Sequence, residues 1–369
     1  MSDGGLDRPA TRVREWFDND AEFKNQLEQV AGLVNLETGE GDAAAPQQLC
    51  PALPALETMP SQKELSAPLY KKKQEFLLQW SKSHDTTQDQ AWKLSRCQFN
   101  AGAWLAAIPS LKKFQCDPGV FKLMLQIHMG LQLGIAKTVS ECEGCKLCPV
   151  DPTPLRNGRH WMTKCRHGWR ARVHDALRDE IAAMFKQGLR VPAETEVGNL
   201  YSQRRSDNSF RPADVVRHGN GGDQQAAAMD ITIGDPTCDS YIALESHKIK
   251  LKTAAEKHKH KMDLHRRRVN DLGDVPYVFQ PLAFETTGAM GAETQKWWAS
   301  IVSEDKELRK DRGEPGSRLL CGLPATWAAN SFKTFWLQSF AMVQARTQAN
   351  SIGVWVRKST PLVGPAHEE

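Results

Sequence analysis

No stretch of the 369-residue chain approaches the roughly 20 consecutive apolar residues that a membrane-spanning helix requires. The opening Met1-Ser2-Asp3-Gly4-Gly5 lacks the basic and then apolar run of a secretory signal. Neither a membrane protein nor a Sec-secreted one is expected. A disulfide framework is also missing: the nine cysteines are odd in number and scattered, which fits a reducing compartment. No fixed-period repeat occurs. Nor is there a large excess of one charge, since 48 Lys and Arg stand against 44 Asp and Glu, a net +4. That value is too mild to imply a nucleic-acid partner, so the local distribution of charge has to decide. What is present is ordinary for a chain with a sizeable core: 40% hydrophobic and 25% charged side chains, over a length sufficient for two or three domains.

The texture changes along the chain. Residues 1–60 hold one amphipathic pattern, Val13 to Val34, followed by the linker-like Glu37-Thr-Gly-Glu-Gly-Asp-Ala-Ala-Ala-Pro46, and read as a flexible extension. Residues 61–140 read as a helical module with aromatic anchors: Phe76, Leu77 and Trp80, then Trp92, Leu94 and Phe99, then Trp104 to Ile108 stopped by Pro109. Phe121, Leu125 and His128 continue at helical spacing to Gly130. Residues 141–168 are rich in Cys and His. Residues 169–292 alternate: a helix over Val173–Gln187 ended by Gly188, strands at Leu189–Val191, Ala213–Val216 and Ala227–Ile233, a charged helix within Ser246–Val269, and a strand at Tyr277–Phe284. Helix, three strands, helix, strand is an α/β order. Residues 293–369 read as further helix, with Trp297-Trp298 placed in the core.

Cys145-x2-Cys148, eleven residues, then His160-x4-Cys165 offers two thiolates on one turn and a His/Cys pair to complete a tetrahedron, the donor set of a structural Zn²⁺ site. Cys142 forms a second C-x2-C pair with Cys145, and His167 is a spare imidazole, so the ligand set is open by one register. Around it lie Lys146, Arg156, Arg159, Lys164, Arg166, Arg170 and Arg172, interleaved with Trp161 and Trp169. Cationic and aromatic side chains together suit phosphate contacts and base stacking, so Arg166, Arg170, Arg172, Trp161, Trp169 and the later Arg211 are candidate DNA or RNA contacts.

The turn-rich tip His218-Gly-Asn-Gly-Gly-Asp223 separates two short strands, which predicts a β-hairpin. With the fold-back centred on Gly222, Asp214 falls opposite Asp230, and opposed side chains have Cβ atoms about 5 Å apart. Alternation sends Met229, Ile231 and Ile233 to the core and leaves Asp230 and Thr232 on the other face. Two ionised carboxylates at one spot call for a cation between them, and a hard oxygen site suits Mg²⁺ or Mn²⁺, which can activate water for attack on phosphorus. Glu196, or Glu194, is the candidate third acid. Lys257, Lys259 or Lys261 on the following helix can bring an ammonium to the scissile phosphate. His258, His260 and His265, on the same helix, are read as surface or structural, and Glu285 as supporting the site from outside.

In this order the knuckle, a helix with His174, Glu196, Arg211-Pro-Ala-Asp214, Asp230-Ile-Thr, the lysine helix and Pro281-Leu-Ala-Phe-Glu285-Thr-Thr-Gly288 resemble the C-terminal region of non-LTR retrotransposon proteins. That region carries a CCHC knuckle and a restriction-like endonuclease of the PD-(D/E)xK superfamily. The resemblance spans about Ser61 to Gly291. It implies a restriction-endonuclease-like core, a metal-dependent DNA endonuclease, and Asp214 and Asp230 as metal ligands, with Glu196 as the upstream acid. A nuclear location is favoured. Two departures are visible: Ala213 separates Pro212 from Asp214, and Thr232 stands where the superfamily has Lys. No paired-aspartate polymerase motif accompanies the nuclease, so a detached or domesticated half, or a piece of a longer reading frame, is expected. The alternative is a catalytically inactive nucleic-acid-binding remnant.

Overall fold

Two helix starts are set by side chains that satisfy orphan amide groups. Thr86 caps the helix α1, Thr87–Arg96, by accepting from Asp89 N. Asp117 caps α2, Pro118–Met129, through Gly119 N at 2.8 Å and Val120 N, with Pro118 at the first helical position and Gly130 closing the helix at φ +71°. The computed structural model describes residues 74–143, 145–146, 153–163, 165, 169–197, 213–219, 226–269, 277–313 and 329–359.

The chain divides into two units, Met1–Asp85 and Thr86–Glu369. In the first, residues 74–84 are helical and Trp80 stacks on His84 with ring centroids 4.4 Å apart. The helix expected over Val13–Val34 lies outside the described residues.

In the second unit α1 and α2 are followed by short helices α3, Thr153–Arg156, and α4, Arg159–Thr163. The segment read as a helix from Trp104 to Ile108 is only a 3₁₀ turn, Ala103–Ala106. Helix α5, Trp169–Ala183, continues as a π-helical stretch, Met184–Leu189. The expected stop at Gly188 is corrected: the chain leaves the helix at Arg190, whose φ is +59°. Gly188 is needed for packing, since a Cβ there would meet Trp336 Nε1 at 2.6 Å and Phe332 Cε2 at 2.8 Å.

Four strands form one sheet in the order β1-β2-β3-β4: β1 Ala193–Thr195, β2 Val215–Arg217, β3 Ala226–Gly234 and β4 Tyr277–Glu285. The strand expected at Leu189–Val191 is displaced to Ala193–Thr195 because the helix runs on through Leu189. β1, β2 and β3 pair antiparallel and β4 joins β3 in parallel, across α6, Asp239–Ile242, and α7, Lys252–Val269. Pro281 interrupts the donors of β4, which is tolerated because β3 is its one partner in the sheet. Helices α8, Ala292–Asp311, and α9, Phe332–Ser359, complete the described structure.

One core joins segments that the sequence divides at 140 and 292. Trp92 and Met124 from the helical module, Trp161 and Cys165 from the knuckle, Met229, Ile231 and Phe284 from the sheet, and Trp298, Trp336 and Ile352 from the last helices are all buried in it. Such burial makes the mixed α/β unit continuous. The knuckle and the C-terminal helices are built into the same body as the sheet.

Candidate functional site

Cys142, Cys145, His160 and Cys165 place one donor atom each within 4.8 Å of one another. Cys142 Sγ lies 3.8 Å from Cys165 Sγ, and Cys145 Sγ lies 3.2 Å from His160 Nε2. Zinc-to-sulfur bonds of about 2.3 Å at tetrahedral angles put two sulfurs about 3.8 Å apart, so the sulfur pair already has the edge length of a zinc tetrahedron. Three of the four ligands are buried. The cluster can hold a metal such as zinc, and three soft thiolates with one imidazole fit a closed structural site. The expected set contained Cys148 in place of Cys142; Cys148 lies outside the described residues, and a four-donor set is complete without it in the other register. Lys146, directly after Cys145, adopts the left-handed conformation with φ +53°.

The second site is the hairpin. β2 and β3 pair with Val215 opposite Met229 and Val216 opposite Ala228. The regular pairing ends at Val215: the Asp214 amide donates to Met229 O at 2.8 Å while its carbonyl accepts from Glu196 N, and the Asp214 carboxylate reaches β3 at Ile231 N, next to Asp230. Met229 and Ile231 are buried in the core and Ile233 packs against it, which leaves Asp230 on the other face with α7.

The two carboxylates are held unequally. Asp214 Oδ2 accepts from Ile231 N at 2.6 Å and lies 3.0 Å from His174 Nε2. Burial raises the pKa of Asp214, but the His174 bond and charge, the Ile231 amide and Lys261 outweigh it and keep the group below its ordinary value. Asp230 accepts from Lys261 Nζ at 2.8 Å. Its burial, with the neighbouring Asp214, outweighs Lys261 and lifts it to about 6. His174 is opposed by burial, yet its bonds to Asp214 and to Asp175 raise it to about 9. The result is an acidic pair bracketed by an imidazolium and an ammonium.

The third acid is placed differently from the expectation. Glu196 stays close through its backbone, its N–H donating to Asp214 O at 2.9 Å, but its φ of +54° breaks the strand alternation and its carboxylate pairs with Arg178. Arg178 also bonds Asp175 at 3.3 Å, and Asp175 bonds His174 Nδ1 at 3.2 Å. Glu196 therefore connects to the dyad through Arg178, Asp175 and His174 rather than by facing it. Glu194 turns to solvent and bonds His218 Nε2 at 3.0 Å. Among the described residues, the Cys/His cluster is the one group of three or more such side chains whose donors converge to metal distance.

Of the three candidate lysines, Lys261 is the one that reaches Asp230. Lys259 is exposed, while Lys257, one turn before Lys261, is half-buried with its stem along Gly234, where a Cβ would meet Thr253 Cγ2 at 2.4 Å and Lys257 Cγ at 3.2 Å. Sequence spacing could not choose among the three, because the choice depends on the rotation of α7 about its axis. Sequence reasoning missed Asp175 and Arg178 altogether; a His-Asp pair with an Arg one turn on is the signal that was available.

Trp161 is fully buried, so it is a core residue and cannot stack on a base. Arg170 and Arg172 are exposed on the first turn of α5. Arg170 Nε and Nη2 lie 3.4 Å from Met162 O. Trp169 begins α5, and Arg166 and Arg211 lie outside the described residues. Arg159 pairs with Asp89. His265 stacks on Phe279 with centroids 3.9 Å apart, a structural role.

Glu285 is buried at the end of β4 and serves a supporting purpose. It accepts from Ser95 Oγ and, at 3.4 Å, from Ala254 N in the first turn of α7, so it is a distant cap for the helix that carries Lys261. Burial raises its pKa to about 7 against the pull of these donors.

No protein-family model and no curated protein matches this sequence.

Proposed function

We propose that the protein is a metal-dependent DNA endonuclease of retrotransposon origin, with a restriction-endonuclease-like core stabilised by a zinc knuckle. The observation that carries the reading is the convergence of Asp214 and Asp230 from adjacent strands onto one spot faced by Lys261. The element order supports it: α5, three antiparallel strands, α7, then a parallel strand, with the dyad on β3 and at the start of β2.

Two carboxylates supply hard oxygen donors that fit Mg²⁺ or Mn²⁺. A divalent ion there would supply Lewis acidity and a more acidic water for phosphodiester hydrolysis. The chain's own part is positional and electrostatic. Asp214 is fixed by Ile231 N and by His174, which is itself held by Asp175. Lys261, standing in for the lysine missing at Thr232, brings positive charge to the side of Asp230 where the phosphate would lie. Arg178 steers Glu196 and Asp175 together, so Glu196 acts by positioning.

The test is nicking of supercoiled plasmid with Mg²⁺ or Mn²⁺ by the wild-type chain, Asp214→Ala and Asp230→Ala. Nicking by the wild type that is lost in both variants is expected. The same rate in all three would remove the reading.

One observation favours a second reading, an inactive nucleic-acid-binding remnant. Glu196 is drawn off by Arg178, which leaves two carboxylates where the expectation had three. Salt-sensitive DNA or RNA binding without cleavage is its signature. In either reading the partner is a nucleic acid, and a nuclear location is favoured over a cytoplasmic one.

A further inference from the structure

Helix α9 packs against α2 and against the 3₁₀ turn Gly134–Ala136, and a cavity of about 270 Å³ lies among the three. Neither the acidic dyad nor the cysteine cluster lines it. On α9, Asn350, Gly353 and Arg357 fall at i, i+3 and i+7, so they share one helix face, and all three line the cavity. Gly353 is buried. The space a Cβ would take there is bounded by Leu123 Cδ2 at 3.4 Å and by the Arg357 guanidinium, with Nη1 at 3.7 Å and Nη2 at 4.0 Å. The guanidinium is therefore folded back over its own helix onto the bare glycine backbone, at the edge of an apolar lining made by Val120, Leu123 and the exposed Ile135. Lys122, half-buried on α2, brings a second cation to the same cavity. Asp117 also lines it, and its Oδ1 is engaged by the Gly119 and Val120 amides at 2.8 and 3.3 Å, so the start of α2 is already capped from within the chain. Two cations against one carboxylate leave the lining net positive.

Net positive charge beside an apolar lining selects a ligand with one anionic end and one flat apolar end. The volume stands at the lower limit of small-molecule pockets, which excludes a folded partner or a duplex and admits a single ring system. Asn350 adds a carboxamide, the group that pairs with the edge of a base. We propose that the cavity holds one unstacked nucleotide, with its phosphate on Arg357 and Lys122 and its base against Val120, Leu123 and Ile135. A free nucleoside monophosphate and an unpaired nucleotide of a strand share this chemistry. Assignment to a strand rests on the nucleic-acid reading above; the nucleotide chemistry does not.

Binding is measured by calorimetric titration of the full chain with dAMP, without Mg²⁺, beside deoxyadenosine and inorganic phosphate at constant ionic strength. dAMP should bind, and each half alone should bind more weakly by about tenfold or more. Arg357→Gln should weaken dAMP by about tenfold, and Arg357→Lys by less. Ile135→Glu places a carboxylate at an exposed position of the lining and should also weaken it, with the Tm of each variant close to that of the wild type. Lys296→Gln, on the exposed side of α8, is the control and should bind as the wild type. Competition assigns the source. An oligonucleotide with an unpaired adenine end that displaces dAMP places the site on a strand, and one that does not assigns it to free mononucleotides. No saturable dAMP binding by the wild type, inorganic phosphate bound as tightly as dAMP, or unchanged affinity in both Arg357→Gln and Ile135→Glu overturns the proposal. A chain that binds dAMP without nicking plasmid loses the nuclease reading alone, and a chain that nicks without binding dAMP loses this inference alone.

Discussion

Lys261 Nζ sits 2.8 Å from Asp230 Oδ1, across 31 positions of sequence, and joins the middle of α7 to the middle of β3. That bond is the cation the buried carboxylate lacks on its own strand, where Thr232 stands. It opposes the burial that raises Asp230 and adds to the contributions of His174 and Ile231 N that keep Asp214 low.

Removing it has a defined effect. In Lys261→Met, Asp230 loses the ammonium that opposes burial and Asp214, so its titration should move above about 6 in the metal-free dyad. Carboxyl-resolved NMR titration would check this. An unmoved or lowered midpoint would show that Lys261 does not bear on Asp230.

His174 should titrate near 9 instead of 6.5. Its folded pKa is raised, so its stabilising contribution is complete below about 6.5 and is lost as pH rises through about 9. Asp214→Asn removes the largest favourable partner, and the imidazole midpoint should fall by more than one unit in NMR. A midpoint that stays near 9 would assign the shift to Asp175 alone.

Zinc content separates the two ligand registers. The purified chain should carry one zinc, and Cys142→Ser should lose it together with thermal stability, because Cys142 and Cys165 are also core residues. Elemental analysis that finds zinc kept in Cys142→Ser but lost in Cys148→Ser would reverse the assignment.

Glu285 gives a pH dependence of the opposite chemical kind from an exposed carboxylate. Its pKa is raised to about 7, so its contribution is complete below about 4.5 and is lost as pH rises through about 7. Glu285→Gln keeps an acceptor for Ser95 and the α7 amides without the charge. Its Tm should therefore change less than that of the wild type between pH 5 and pH 8. Glu285→Ala leaves the Ala254 amide without its carboxylate acceptor and Ser95 Oγ with Thr287 Oγ1 alone, and should cost about 2 kcal/mol or more. Equal pH dependence of Tm in wild type and Glu285→Gln would show that Glu285 is not the titrating group.

Where sequence reading succeeded, the determinant was local. The pairing expected for these two strands is the one they adopt, Val215 opposite Met229 and Val216 opposite Ala228, and it brings Asp214 next to Asp230. Trp297 and Trp298 are core residues, as read. Where it failed, the determinant was distant. Trp161 has the neighbours of a base-stacking residue in sequence, but in space it is enclosed by the core. Glu196 has the spacing of a third ligand, but its backbone turns left-handed and Arg178, 18 positions earlier, takes its carboxylate.

The sequence by itself determined the short-range chemistry: a cysteine and histidine cluster with zinc spacing, a hairpin that brings two aspartates together, and a lysine-rich helix before the last strand. Turn residues, two-residue alternation and one-turn helical spacing act over distances the chain fixes directly. Only the tertiary structure decided which lysine reaches Asp230, which carboxylate is drawn away, and that Glu285 caps α7 from another element. Those outcomes depend on how α5 and α7 are rotated against the sheet, and that rotation is set by burying Val173, Leu177 and Ile181 on one side and Ala254 on the other.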